Sequence, residues 1–298
     1  MLSEKILSIL TLCVWVALSG CALLPGKKAD PAKAGALVVT GKDTGRPLAP
    51  GAIFRNNSDD IQYVFDCAGR MKAVLPDSQY RPPGVSEKSI PGFAGIAGSL
   101  GDYGLRKKRL EKLLVRMSGR GEEVADTVEF FLVYPVGARL VEAPEAFRWQ
   151  GTAEVVFSIY PVSGGEPVVQ TTVADSLFAR GRFEKLLEKG RWYGWQVRLG
   201  DSTQASCFSL LPEEELAGLS DRLAALAEAE KQDPSAGENV FGWLALKAGW
   251  LAGNFLYYEA QAALLEAETR GGMSAGRRRE LLVEVRRLQR YGHLLFGG

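Results

Sequence analysis

Few side chains in this sequence could do chemistry, and their types and spacing exclude more than they permit. His293 is the one histidine, so a triad built on imidazole, or a metal site using two imidazoles, finds no second ring to draw on. Cys67 and Cys207 could act as thiol nucleophiles only beside a base, and no base is marked by the sequence. The acid clusters Glu122-Glu123 and Glu213 to Glu215 read as surface and helix-start residues, not as the paired buried carboxylates of a glycosidase. No catalytic residue, metal ligand or cofactor is therefore expected, and the chain is not expected to be an enzyme. Cys21 stands apart because it directly follows the small residues Ser19 and Gly20 at the end of an apolar run.

The elements around Cys21 explain its position. Residues 1–5 are a short polar start, and residues 6–18 are apolar apart from Ser8 and Thr11. A membrane-spanning helix needs ~20 apolar residues, whereas ~7 to 15 is the length of an export-signal core. Leu18-Ser19-Gly20-Cys21 resembles the lipobox of bacterial lipoproteins. The resemblance implies that Leu18, Ser19 and Gly20 are recognised by the signal peptidase and that residues 1–20 are removed. It also implies that the Cys21 sulfur carries a diacylglycerol and that the freed amine is acylated, and two or more acyl chains anchor stably. In Gram-negative lipoproteins an Asp after the cysteine favours the inner membrane. Here the residue is Ala22, which implies the outer membrane, facing the periplasm or the cell surface. Residues 21–36, with Pro25, Gly26, Lys27, Lys28, Asp30, Pro31, Lys33 and Gly35, read as the lipidated N-terminus and a solvated tether.

The remainder is long and apolar enough to fold, with 46% hydrophobic and 24% charged residues, and its length favours several small domains. The net charge of +1 argues neither for nor against a nucleic acid or an anionic membrane, and no nucleic-acid partner is expected. Cys67 and Cys207 could form one disulfide in an oxidising envelope, but separate buried thiols are preferred because they fall in different segments.

The expected fold is multidomain α+β: a small β-domain, a β-sandwich, then a C-terminal α-helical hairpin or bundle. In residues 37–88, β-like runs at 37–40, 52–54, 61–65 and 71–75 alternate with turns, and Ile61, Tyr63 and Phe65 share one strand face. The order of Pro47 to Gly51, a strand, Asp66 to Gly69, a strand and Ser78 resembles the small β-domain of FecR-like envelope proteins. Residues 89–126 begin with IPGFAGIAGSLGDYG, where Gly92, Gly95, Gly98, Gly101 and Gly104 recur every third position. This stretch reads as a mobile loop leading into a surface helix with Lys107, Lys108, Arg109 and Lys112. An anion-binding or membrane-touching loop is the alternative.

Residues 127–211 carry candidate strands at 127–134, 147–150, 155–160, 168–173, 192–199 and 206–210, with Tyr193, Trp195, Val197 and Leu199 on one face. The run from Pro144 to Trp149, followed later by Leu187, Gly190, Tyr193, Trp195 and Val197, resembles a fibronectin type III or immunoglobulin-like module. The resemblance implies that Trp149 packs beneath a corner tyrosine, Tyr193. Residues 212–298 switch to helical periodicity, with Leu216, Leu219, Leu223 and Leu226 on one stripe and further helices at about 238–252, 256–269 and up to 291. The pair spanning Leu244 to Glu266, with Tyr257-Tyr258-Glu259-Ala260, resembles a tetratricopeptide-type hairpin, which implies a docking surface. The last helix sets Arg277, Arg278, Arg279, Arg286, Arg287 and Arg290 among Leu281, Leu282, Val285 and Leu288. A solvated face with arginines paired to Glu280 and Glu284 is favoured over an anionic-surface contact.

These readings converge on a non-enzymatic envelope lipoprotein attached through Cys21 and acting as a scaffold or protein-interaction component. Trp250, Tyr257, Tyr258, Arg277, Arg278, Arg286 and Arg287 are the expected contact residues. An envelope protein is the expected partner and a small-molecule ligand is not. Binding of a surface polymer, glycan or peptidoglycan, or an accessory part in envelope signalling, are the alternatives.

Overall fold

The computed structural model describes residues 34–39, 46–82, 90–118, 131–151, 154–270 and 275–291. Leu18, Ser19, Gly20 and Cys21, the tether up to residue 33, Glu122-Glu123 and His293 lie outside the described residues. The described chain is mixed α+β, with most helices at its C-terminal end.

Strands β1 (Ala36–Val38), β2 (Arg46–Leu48), β4 (Gln62–Asp66) and β5 (Met71–Val74) form an antiparallel sheet in the order β2-β1-β4-β5. Strand β3 (Phe54–Arg55) pairs with β6 (Gln79–Tyr80). Successive side chains on a strand point to opposite faces, and both faces of this sheet are covered. Ala36, Val38, Val64 and Val74 meet Phe54 in a small core of their own. Leu37, Tyr63, Phe65 and Met71 point the other way into the main core. Ile61, expected beside Tyr63 and Phe65, is instead 43% exposed, because the ladder begins only at Gln62, opposite Val74.

The glycine-rich stretch is not a loop. Helix α1 (Phe93–Ser118) begins before Gly95 and runs through Gly98, Gly101 and Gly104. A glycine inside a helix costs about 1 kcal/mol relative to alanine. That cost is offset by burial of Phe93, Ile96, Ala97, Leu100 and Tyr103, which recur at helical spacing on one face. The alternative of an anion-binding loop falls with it, since backbone N–H groups in a helix interior are already used within the helix.

Helices α2 (Glu213–Gln232), α3 (Val240–Gly253), α4 (Tyr257–Arg270) and α5 (Ala275–Tyr291) follow. Every residue of α3 except Lys247 is buried, so this helix is a central pillar and has no solvent face. Two glycines permit its close approaches. A Cβ at Gly242 would lie 2.8 Å from the Tyr63 ring, and one at Gly253 would lie 2.1 Å from the Ser99 carbonyl oxygen in α1. Aromatic contacts fix the first sheet to the helices: Phe65 lies 5.8 Å from Phe93 and 5.3 Å from Trp243, centroid to centroid.

Between α1 and α2 two sheets pack face to face. Strands β8 (Ala138–Leu140), β10 (Val155–Pro161), β11 (Val169–Val173), β13 (Trp192–Leu199) and β14 (Ser202–Leu210) make one, in the order β11-β10-β13-β14-β8. Strands β7 (Phe131–Tyr134), β9 (Ala146–Gln150) and β12 (Leu177–Ala179) make the other, in the order β12-β9-β7. All neighbours are antiparallel except β8, which runs parallel to β14. Phe147 of β9 is the hub of the interior, 5.2 Å from Phe157, 5.0 Å from Trp195 and 5.2 Å from Phe208 of the facing sheet. Tyr193, Trp195 and Val197 are buried on that inner face as expected, and Leu199 is partly buried. One continuous hydrophobic core runs from the inward face of the first sheet through the helices into this interior. Cys67 and Cys207 are both free thiols.

Candidate functional site

The chain changes sheets between β7 and β8, and that crossing borders a concave surface. Residues 135–139 cannot pair with both sheets, so their polar groups find other partners. The Pro135 carbonyl accepts the Trp195 indole N–H at 2.7 Å, and the Gly137 N–H donates to Ser206 Oγ at 3.0 Å. On the helical side, the Val136 N–H donates to Tyr258 Oη at 3.0 Å and the Arg139 N–H to the Phe255 carbonyl at 3.0 Å. The crossing is thereby held between the sandwich and the first turn of α4.

A cavity of about 570 Å³ opens beside it, lined by Val133, Tyr134, Glu142, Glu145, Arg148, Arg180, Tyr258 and Glu259 among others. Tyr134 and Tyr258 meet edge to face at 4.6 Å. Burial pushes the Tyr258 hydroxyl above its ordinary pKa. Burial does the same to Tyr134, with the nearby Glu259 and Glu145 carboxylates adding to it. Both phenols therefore stay neutral and able to hydrogen-bond at physiological pH. The Glu259 carboxyl is pushed up by desolvation, and its Oε2 atom is shielded from solvent with no hydrogen-bond partner. Arg180 is engaged, with Nε donating to Glu184 at 2.7 Å and its guanidinium 3.6 Å from Glu142.

Chemically the crevice combines aromatic and charged groups. It offers two aromatic faces, a half-buried carboxyl whose Oε2 lacks a donor, and a rim of charges partly paired among themselves. A cationic or N–H-bearing side chain would satisfy Glu259 and pack on the tyrosine rings. No thiol or serine lines the cavity.

The sequence-predicted residues are scattered over this structure. Tyr258 belongs to the cavity. Trp250 and Tyr257 are 0% and 1% exposed: they pack in the core, so a docking role for their side chains is withdrawn. Arg277 lies 2.9 Å from Glu280 and 3.9 Å from Asp60. Arg278 is half-buried, while Arg286 and Arg287 are exposed on α5. Tyr134, Arg148, Arg180 and Glu259 escaped sequence reasoning because a sheet crossing and a helix start bring them together, and no local motif joins them.

The chain matches no protein-family model and no curated protein sequence. Among the described residues no group of His, Cys, Asp or Glu side chains is placed to hold a metal ion, and no helix is long and apolar enough to cross a membrane.

Proposed function

We propose that this protein is a lipid-anchored envelope protein that works by contact: Cys21 carries the lipid, and the crevice between the sandwich and α4 receives a basic side chain of a protein partner. The carrying observation is the half-buried Glu259 carboxyl, which lines the crevice with Tyr134 and Tyr258 and has Oε2 unpaired. A buried polar atom without a partner costs about 1–3 kcal/mol, and a bound lysine or arginine would recover that cost once the carboxyl turns toward the crevice.

Strand order supports an immunoglobulin-like or fibronectin-like reading of the sandwich. Such modules place strands A, B and E on one sheet and C, F and G on the other. Here β7, β9 and β12 occupy the first set and β10, β13 and β14 the second, with β11 added beside β10. Tyr193 at the start of β13 accepts the Glu188 N–H at 2.8 Å, the upstream backbone bond of a tyrosine corner. In this reading the module is a rigid frame, and recognition lies in the crevice built on its edge.

The test is in-cell photocrosslinking from position 142 on the crevice rim, with the captured peptide mapped by mass spectrometry. The reading expects a protein adduct near a partner Lys or Arg, lost in Glu259→Gln. An adduct with glycan alone, or one indifferent to Glu259→Gln, would overturn it. Cys21→Ser should release the protein from membranes and abolish acyl labelling.

A further inference from the structure

We infer that the outer face of α5, assisted by the second half of α1, is a contact site for an anionic phospholipid surface. Leu281, Val285 and Leu288 bury one side of α5. At about 100° per residue, residues 279, 283, 286, 287 and 290 gather on the opposite side. Arg279, Arg286, Arg287 and Arg290 there are exposed, and Val283 among them is 46% exposed.

An ordinary solvated helix would neutralise such arginines with its own acids at i±3 or i±4. Here those acids are spent elsewhere. Glu280 pairs with Arg277 at 2.9 Å, and Glu284 turns to Lys107 of α1 at 2.5 Å. Among the described residues Arg286 meets the neutral Gln261, at 3.5 Å, and no acid, and Arg290 lies over the Tyr291 ring. Arg279 and Arg287 have no acidic partner among the described residues. On the neighbouring α1, Lys108, Arg109, Lys112 and Arg116 are exposed beside Asp102 and Glu111, with Leu105 and Val115 exposed at 43% and 70%.

Two features favour a lipid surface over an acidic peptide or a nucleic acid. Aliphatic side chains interleave with the cations, as in helices that lie at the headgroup boundary. The cations also spread over two helices, α1 and α5, joined by the Lys107–Glu284 pair, which suits a broad surface better than a single strand. The guanidinium groups would bind phosphates by paired N–H···O bonds. This contact is separate from the crevice and from any lipid on Cys21.

The test uses the full chain bearing Cys21→Ser, so that no acyl chain contributes, and vesicles of phosphatidylcholine with or without phosphatidylglycerol. Residues 6–18 would act on both vesicles alike, so the readout is the preference for the anionic one. The expected result is a clear preference that fades with salt. It should fall roughly 600-fold in Arg279→Gln/Arg286→Gln/Arg287→Gln/Arg290→Gln, at about fivefold per cation. These side chains are exposed, and an unchanged circular dichroism spectrum confirms that the variant folds. Equal binding to both vesicles, or a preference surviving in the variant, overturns the inference. So does tighter, arginine-dependent binding to polyglutamate or an RNA oligonucleotide than to the anionic vesicle.

Discussion

The Asp233 carboxylate at the end of α2 accepts the backbone N–H of Met71 in β5 at 3.2 Å. Asn239 completes the pairing by donating its Nδ2 to the Met71 carbonyl at 3.0 Å. Two side chains thus do for β5 what a neighbouring strand would, and the first sheet is fastened to the helices by hydrogen bonds as well as by Phe65 and Trp243. Asp233 also accepts from the Trp243 indole at 3.2 Å and from the Ser235 N–H and hydroxyl at 3.0 and 2.8 Å.

Asp233→Ala should therefore destabilise the protein by about 3 kcal/mol or more, because it leaves the Met71 and Trp243 donors buried without an acceptor. Urea unfolding followed by tryptophan fluorescence measures it. Asp233→Asn, which keeps one acceptor oxygen, should cost less. Equal costs for the two would remove the hydrogen-bond account.

Helix packing makes opposite predictions for two glycines. Gly253→Ala would drive its Cβ to 2.1 Å from the Ser99 carbonyl oxygen, a contact between two backbones that cannot swing aside. A loss of about 3 kcal/mol is expected, in the range of overpacked cores. Gly98→Ala has nothing within 4 Å and lies inside α1, so it should stabilise by roughly 0.5–1 kcal/mol through helix propensity. Thermal midpoints of the two variants would settle the sign of each.

How far the sequence could be read depended on whether a local pattern carried the information. The alternation in Trp192–Leu199 gave β13 its bounds, and Pro212 with three following glutamates marked the start of α2. Strands β8 and β12 were missed: each has three residues, and their pairing comes from distant partners. The glycines of α1 suggested a loop because glycine has low intrinsic propensity, and only tertiary burial reverses that. Trp250 read as a contact aromatic because α3 lacks a polar face to give it direction, and Tyr257 because it opens α4 next to Tyr258. The crevice was illegible for the same reason, since its residues span Val133 to Glu259.

Tyr193 tests the sandwich independently. Its ring stacks on Phe208 at 5.7 Å, while its hydroxyl accepts the Glu188 N–H. Tyr193→Phe keeps the first and deletes the second, so about 1 kcal/mol should be lost with no change in near-ultraviolet tryptophan signals. A neutral substitution would mean that water replaces the phenol at the corner.

Glu259 supplies a pH-dependent signature. Desolvation raises its folded pKa above the unfolded value of about 4.3. Between those two values the folded state binds more protons than the unfolded one, so this residue makes stability fall as pH rises. Glu259→Gln removes the term. The variant should melt at a higher temperature than the parent at neutral pH, and the difference should shrink on acidification and vanish below the unfolded pKa. All other carboxyls are common to both proteins, so the difference between the two melting curves isolates this one. A variant less stable at neutral pH, or a gain independent of pH, would show that Glu259 is paired in solution and that the crevice lacks the unsatisfied carboxyl on which partner recognition rests.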